Sequence, residues 1–270
     1  MIIIVGILSA LGGSIITTNI EGYLDMSRRA ELVGSAGSAL RRMQRDVRSA
    51  VPNSVQTLNE YEGISILHAI DGGRYRTSCP KNSSGCTEDD ILQLTSTTQE
   101  SFATIGFTFS DDLSDETIII YNLGKFGGAK YNAYNNKGQK NNTFPIKNYK
   151  PKEGFKKTNL FTIDSQNFPS LLKHVESRFQ IMDSQVFYVK DEYALKRCEI
   201  EAGIIDPDDF NLSNLSEDQC NLVTRHVKNA DFIYEHGNNT SSALLTLKLT
   251  LQDEGESISL LHEVHVLNTP

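Results

Sequence analysis

The start of this chain constrains it most. Residues Met1 to Ile16 (MIIIVGILSALGGSII) carry no charge, and the first charged residue is Glu21. A helix that crosses a bilayer core needs about 20 apolar residues, each rising about 1.5 Å, so the run reads as most of a membrane helix. Ile3, Val5, Ile7, Leu8, Leu11 and Ile15 are then the side chains that meet lipid or partner helices. No basic residue precedes the run, and Ser9-Ala10-Leu11-Gly12 is a poor cleavage site, which separates it from a secretory signal.

The next stretch is amphipathic. Apolar residues fall at Val33, Ala36, Leu40, Met43, Val47 and Ala50, alternating three and four apart, the spacing of a helix that packs along one stripe. Arg41, Arg45 and Arg48 lie on another face, and Arg42 with Asp46 forms an i,i+4 opposite-charge pair. Pro52 disfavours helical geometry at Val51 and should end the helix there. No proline separates the two parts. The simplest reading is one helix from residue 1 to about 51, roughly 75 Å long, with an apolar segment at 1–16 and an amphipathic one at 27–51. The glycines in its middle (GGSIITTNIEG) mark where it should bend or melt, since each costs about 1 kcal/mol relative to alanine.

A long N-terminal helix, apolar and then amphipathic, in front of a β-rich body resembles the type IV pilins and pseudopilins. Gly6-Ile7-Leu8-Ser9-Ala10 resembles the end of the pilin hydrophobic segment. RAELVGSAGSALRRMQRDVRSAVPNSV (Arg29 to Val55), RFQIMDSQVFYV (Arg178 to Val189) and LLTLKLTLQDEGESISLLHEVHVLNTP (Leu244 to Pro270) are similar to a minor pseudopilin of the mannose-sensitive haemagglutinin (MSHA) pilus, in the group with the J-type pseudopilin of type II secretion. The resemblance implies an α+β, pilin-like fold, with the helix packed on an antiparallel β-sheet body. It implies two regions, the helix at 1–53 and a periplasmic β-rich domain at 54–270. The basic leader and the glutamate-bearing start of that family are not in the sequence, so a leader and about eight mature residues are expected upstream of Met1.

Beyond Pro52 short alternating runs take over. Gly63 to His68, Ile91 to Thr97, Ile105 to Phe109, Thr117 to Leu123, Arg178 to Met182, Val186 to Val189 and Tyr193 to Cys198 read as strands, rich in β-branched and aromatic residues. Phe168 to His174 reads as a short helix, and Val223 to Tyr234 as strand. Leu245, Leu247, Leu249 and Leu251 alternate with polar residues, Asp253 to Glu256 turns the chain, and Ile258 to Leu267 returns. That hairpin has one leucine face. Together with Val33, Leu40, Met43 and Val47 it is expected to form the helix–sheet contact, because two one-sided elements must bury their apolar sides.

The cysteines sit as Cys79 with Cys86 and Cys198 with Cys220. In an exported body they would form disulfides. Neighbour pairing closes two loops, although four cysteines allow three connectivities. From residue 124 to 158 the chain is rich in lysine, asparagine and tyrosine and reads as an inserted flap. Its candidate ligand-binding residues are Lys130, Tyr131, Tyr134, Lys137, Lys140 and Tyr149, which could hold phosphate and stack on bases or sugars. The acidic stretch Asp206 to Asp218 lacks EF-hand spacing, so calcium is not assigned.

No catalytic pattern stands out. His262 and His265 are three apart on a strand and point to opposite faces. No G-x-S-x-G, P-loop or C-x-x-C occurs. The chain reads as a non-enzyme without cofactor, metal or small-molecule substrate. A net charge of -8 argues against a dedicated nucleic-acid binder. The resemblance implies a minor pilin or pseudopilin acting in pilus assembly, at or near the filament tip. It would be anchored once in the inner membrane with its body in the periplasm, and it would reach the pilus or cell surface after assembly. Its partners would be other minor and major pilins or pseudopilins and the inner-membrane assembly machinery. The alternative is a tip adhesin that meets a surface glycan or nucleic acid through residues 124–158.

Overall fold

The computed structural model describes residues 2–79, 85–92, 99–105, 113–127, 131–134, 142–151, 159–166, 177–201, 203–237 and 242–266. Side chains are described from residue 19 onward, except at 99–100, 151 and 164–166.

One helix, α1 (Ile2–Arg48), opens the chain and stays unbroken across Gly22, Gly34 and Gly37. The helix does not melt in the glycine-bearing stretch at 12–22, where no proline removes a backbone donor. The buried stripe is Leu32, Ala36, Ala39, Leu40, Met43 and Val47. Val33 is 43% exposed, which corrects its assignment to the helix–sheet contact. The stripe starts at Leu32, and the next residue is turned by about 100° away from it. The helix stops at Arg48, and the chain after it is stitched to a strand: the Val51 amide donates to Leu67 O, and the Ala69 amide to Ser49 O, both at 2.8 Å.

The body is antiparallel β throughout. β1 (Gln56–Thr57), β2 (Gly63–Tyr75), β3 (Gln99–Ile105), β4 (Thr117–Ile119), β5 (Thr143–Pro151), β6 (Asn159–Gln166), β7 (Arg178–Asp191), β8 (Ala194–Ile200) and β9 (Cys220–Arg225) form one nine-stranded sheet. β10 (Val227–Glu235), β11 (Ala243–Asp253) and β12 (Glu256–Val266) form a second, three-stranded one. β2 and β7 are long and pair from Gly63↔Val189 to Arg74↔Arg178. Bulges beside His68 and Ala69 interrupt that ladder, and Asp183 has no residue opposite it. On one side of the bulges β1, β2, β7, β8 and β9 make an open sheet. On the other, β2 pairs β3, β3 pairs β6, β6 pairs β5, β5 pairs β4, β4 pairs β7 and β7 returns to β2. The sheet therefore closes on itself in a ring of six strands, the solution that removes edges.

The ring is filled by aromatic and branched side chains, each strand giving at least one: Tyr75, Phe102, Ile118, Phe144, Phe161 and Phe179. Phe102 stacks on Phe161 with centroids 5.8 Å apart, and Phe179 meets Phe161 edge-on at 5.8 Å. Burial pushes the Tyr75 phenol up to about 12. A separate core joins the helix stripe to Ile64, Ile66, Val186, Tyr188 and Leu195 of the open sheet and to the leucines of the three-stranded sheet. The helix thus lies between two sheets.

These findings correct the expected fold. The pilin-like plan of one helix on one sheet is replaced by a mostly antiparallel β body with a nine-stranded sheet that curls into a ring. Periodicity missed it because β2 and β7 each serve two layers, and the bulges shift their pattern midway. Arg178 to Met182 and Val186 to Val189 are two ends of one strand. Val223 to Tyr234 is split between β9 and β10 at His226, whose φ is 61°. Ile91 and Leu92 lie outside any strand. Residues 93–97, 106–109 and the short helix at 168–174 lie outside the described residues. The insertion is not only a flap: β5 is an internal strand paired to β4 and β6.

The inner-membrane, single-pass placement is also corrected. Among the described residues no helix is long and apolar enough to cross a membrane. From residue 21 onward Glu21, Asp25, Arg28, Arg29 and Glu31 interrupt α1 every few residues. The side chains of Ile3, Val5, Ile7, Leu8, Leu11 and Ile15 lie outside the described residues.

Candidate functional site

The helix is the element on which the site is built. Its seated half ends in a polar clamp. Asp46, in the last turn of the helix, accepts from Arg197 Nε at 2.7 Å and from the Tyr188 hydroxyl at 2.9 Å. Arg197 also donates through Nη1 to Glu199 at 2.5 Å. The Ser184 hydroxyl lies 2.8 Å from Glu199 and 3.1 Å from Asp183 and shares its one proton between them, and Asp183 is paired with His68 Nδ1 at 2.8 Å. One hydrogen-bonded chain thus runs from the last turn of α1 across β8 and β7 to the bulge on β2.

Burial and partners set the electrostatics. Burial works to lower the Arg197 pKa, but its bonds to Glu199 and Asp46 outweigh that and raise it. The bond from Arg197 holds Glu199 below the usual carboxylate range. Burial pushes the Tyr188 phenol up, and the Asp46 carboxylate beside it adds to the shift. Further along the helix, Ser35 and Thr224 hydroxyls meet at 2.7 Å. Arg28 reaches Asp25 at 3.2 Å and Glu254 in the hairpin turn.

The helix leaves the body near Arg28. None of residues 19–27 is buried, and Ile20, Tyr23, Leu24 and Met26 are 54%, 73%, 44% and 75% exposed. The helix thus carries exposed apolar side chains just ahead of its buried stripe.

The leucine face expected of the C-terminal hairpin is present: Leu245, Leu247, Leu249 and Leu251 are buried in one core with Leu40, Met43 and Val47. All four cysteines are in disulfides, Cys79–Cys86 and Cys198–Cys220. The second joins directly opposed residues of β8 and β9.

Among the described residues of the insertion, Tyr131, Tyr134 and Tyr149 are packed into the body. Tyr131 is 7% and Tyr134 1% exposed, which corrects their assignment as stacking groups. The Tyr134 hydroxyl donates to Ser54 O at 2.5 Å and meets Ser65 Oγ at 3.2 Å, tying the insertion to the chain after the helix. Tyr149 packs on Phe161 at 5.9 Å. Lys130, Lys137 and Lys140 lie outside the described residues. Loss of the Tyr134 bond should be felt: Tyr134→Phe leaves Ser54 O without this donor and should cost about 1–2 kcal/mol, read as a lower midpoint in urea with an unchanged slope.

The acidic stretch has a structural use. Asp206 and Asn211 each accept from a backbone amide two residues on, at 3.1 and 3.0 Å, and so cap short 3-10 turns. Phe210 between them stacks on Phe187 at 4.3 Å. No group of three or more histidine, cysteine or acidic side chains placed to hold a metal occurs among the described residues.

Sequence reading missed the clamp. Asp46 was legible only as an i,i+4 partner of Arg42, and the bulge that frees Asp183 has no local signature. Compared with known proteins, the chain matches no protein-family model, no curated protein and no solved structure.

Proposed function

We propose that this chain is a minor pilin or pseudopilin that works in assembly of a type IV, MSHA-type pilus, at or near the filament tip. The observation that carries this reading is the division of α1. From Leu32 to Val47 one stripe is buried in the body, whereas Ile20, Tyr23, Leu24 and Met26 project uncovered. A half-seated helix fits a subunit that joins others through helix contacts. The two disulfides suit a body that works in an oxidising compartment, and the stretches Arg29 to Val55 and Leu244 to Pro270 resemble that family.

The test is to change the projecting face without touching the seat. Tyr23→Glu with Met26→Glu should reduce pilus number by on the order of tenfold or more, because losing about 1.4 kcal/mol at a contact is already tenfold in affinity. Tyr193→Ala, at a side chain 77% exposed on the β7–β8 turn, serves as the control and should leave pili unchanged. Normal piliation by the charged double variant would overturn the reading.

A further inference from the structure

We propose that His68 and Asp183 form a pH-sensitive latch that holds the end of the helix to the body, closed in mildly acidic conditions and loosened in alkaline ones. The placement argues for it first. His68 stands at the bulge between the open sheet and the ring. It is also the bridge partner of Ala50, two residues after the helix ends. The amide next to it, Ala69 N–H, donates to Ser49 O at 2.8 Å.

The surroundings argue for it next. From β7, Asp183 contacts the imidazole at 2.8 Å, and from α1 and β8 the carboxylates of Asp46 and Glu199 act on it. Asp183 also faces Glu116, just before β4, whose pKa is raised by burial and then by the charges of Asp183, Asp115 and Glu201. Arg197 is the cation on the other side, already bonded to Asp46 and Glu199. The neutral imidazole can keep its bond to Asp183 through the Nδ1–H tautomer. What it loses on deprotonation is the charge, leaving Arg197 to balance Asp46, Glu199 and Asp183.

The direction follows from the two shifts. The bond to Asp183 raises the His68 pKa above 6.5, burial opposing it and the nearby carboxylates adding to it. Burial works to raise the Asp183 pKa, but the bond and charge of His68 outweigh it and bring it below 3.8. The contribution of His68 is therefore complete below about pH 6.5 and is lost as pH rises through its folded value. That of Asp183 is complete above about pH 4 and is lost as pH falls through its folded value. The latch is closed between those limits.

Amide hydrogen exchange on the full chain at pH 6 and pH 8.5, corrected for intrinsic rates, reads the latch. Amides of Met43 to Ser49 should lose protection severalfold at the higher pH, while those of Leu247 and Leu249 in β11 change less. His68→Gln should abolish the difference between the two conditions. An NMR titration of His68 in the unaltered chain gives a second reading that does not depend on the variant folding. A His68 midpoint at or below 6.5, equal loss of protection across helix end and β11, or an undiminished pH effect in His68→Gln would each overturn the latch.

Discussion

Leu249→Ala should destabilise the chain by about 2–5 kcal/mol, the cost of deleting buried methyl groups and leaving a cavity. Leu249 is 0% exposed and belongs to the core that joins α1 to both sheets. It sits in the middle strand of the three-stranded sheet, flanked by Ala230 on β10 and Leu260 on β12. Against a total stability of typically about 5–15 kcal/mol, the loss is a large fraction. Leu40→Ala, on the helix side of the same core, should fall in the same range. Leu261→Ala, one residue beyond Leu260 but on the outer face and 56% exposed, should stay within about 0.5 kcal/mol. Urea melts of the three variants decide the matter. If Leu249→Ala matches Leu261→Ala, the helix is not held by the three-stranded sheet.

Arg197→Ala should be as damaging for a different reason. The guanidinium side chain is 11% exposed, and it separates Asp46, 17% exposed, from Glu199, 34% exposed. Removing it leaves two carboxylates facing each other and withdraws two charge-assisted bonds, and breaking a buried pair typically costs about 3–5 kcal/mol. Partial exposure of Glu199 places the expectation at the lower end. The pH dependence carries a sign. The native Glu199 pKa is depressed, so its contribution is complete above about 4.5 and is lost as pH falls through the folded value. In Arg197→Ala that depression is gone and the Glu199 carboxylate protonates more readily. The deficit relative to the native chain should therefore shrink as pH falls from 7 towards 4. A deficit that is constant across that range would mean that lost packing of the arginine stem, not charge, accounts for the damage.

How far the chain could be read in advance depended on whether an element was shaped by its own neighbours in sequence. The helix was legible because its apolar residues recur with the turn of the helix; the first stripe residue was misjudged, Val33 for Leu32, and the end was placed near residue 51 where the helix stops at Arg48. The C-terminal hairpin was legible because four leucines alternate with polar residues and both strands flank a turn that contains Gly255, at φ 96°. β5 was hidden because Thr143–Pro151 is polar and lysine-bearing, and what makes it a strand is pairing with Ile118 on one side and Phe161 on the other. The tyrosines of the insertion looked like free stacking platforms for the same reason: nothing near them in sequence shows that Tyr134 reaches Ser54, eighty residues away.

The sequence alone therefore determined the helix with its stripe from Leu40 to Val47, the leucine hairpin and an apolar supply large enough for a core, because these follow from local periodicity and side-chain chemistry. Tertiary structure decided that the strands would close into a ring, that the helix would sit between two sheets and that Asp46, Arg197, Glu199 and His68 would share one hydrogen-bonded chain. Those outcomes depend on pairings between residues more than a hundred positions apart, such as Gly63 with Val189 and Asp46 with Arg197. Such pairings are settled by which long-range contacts can all be satisfied at once, and no single segment contains that information.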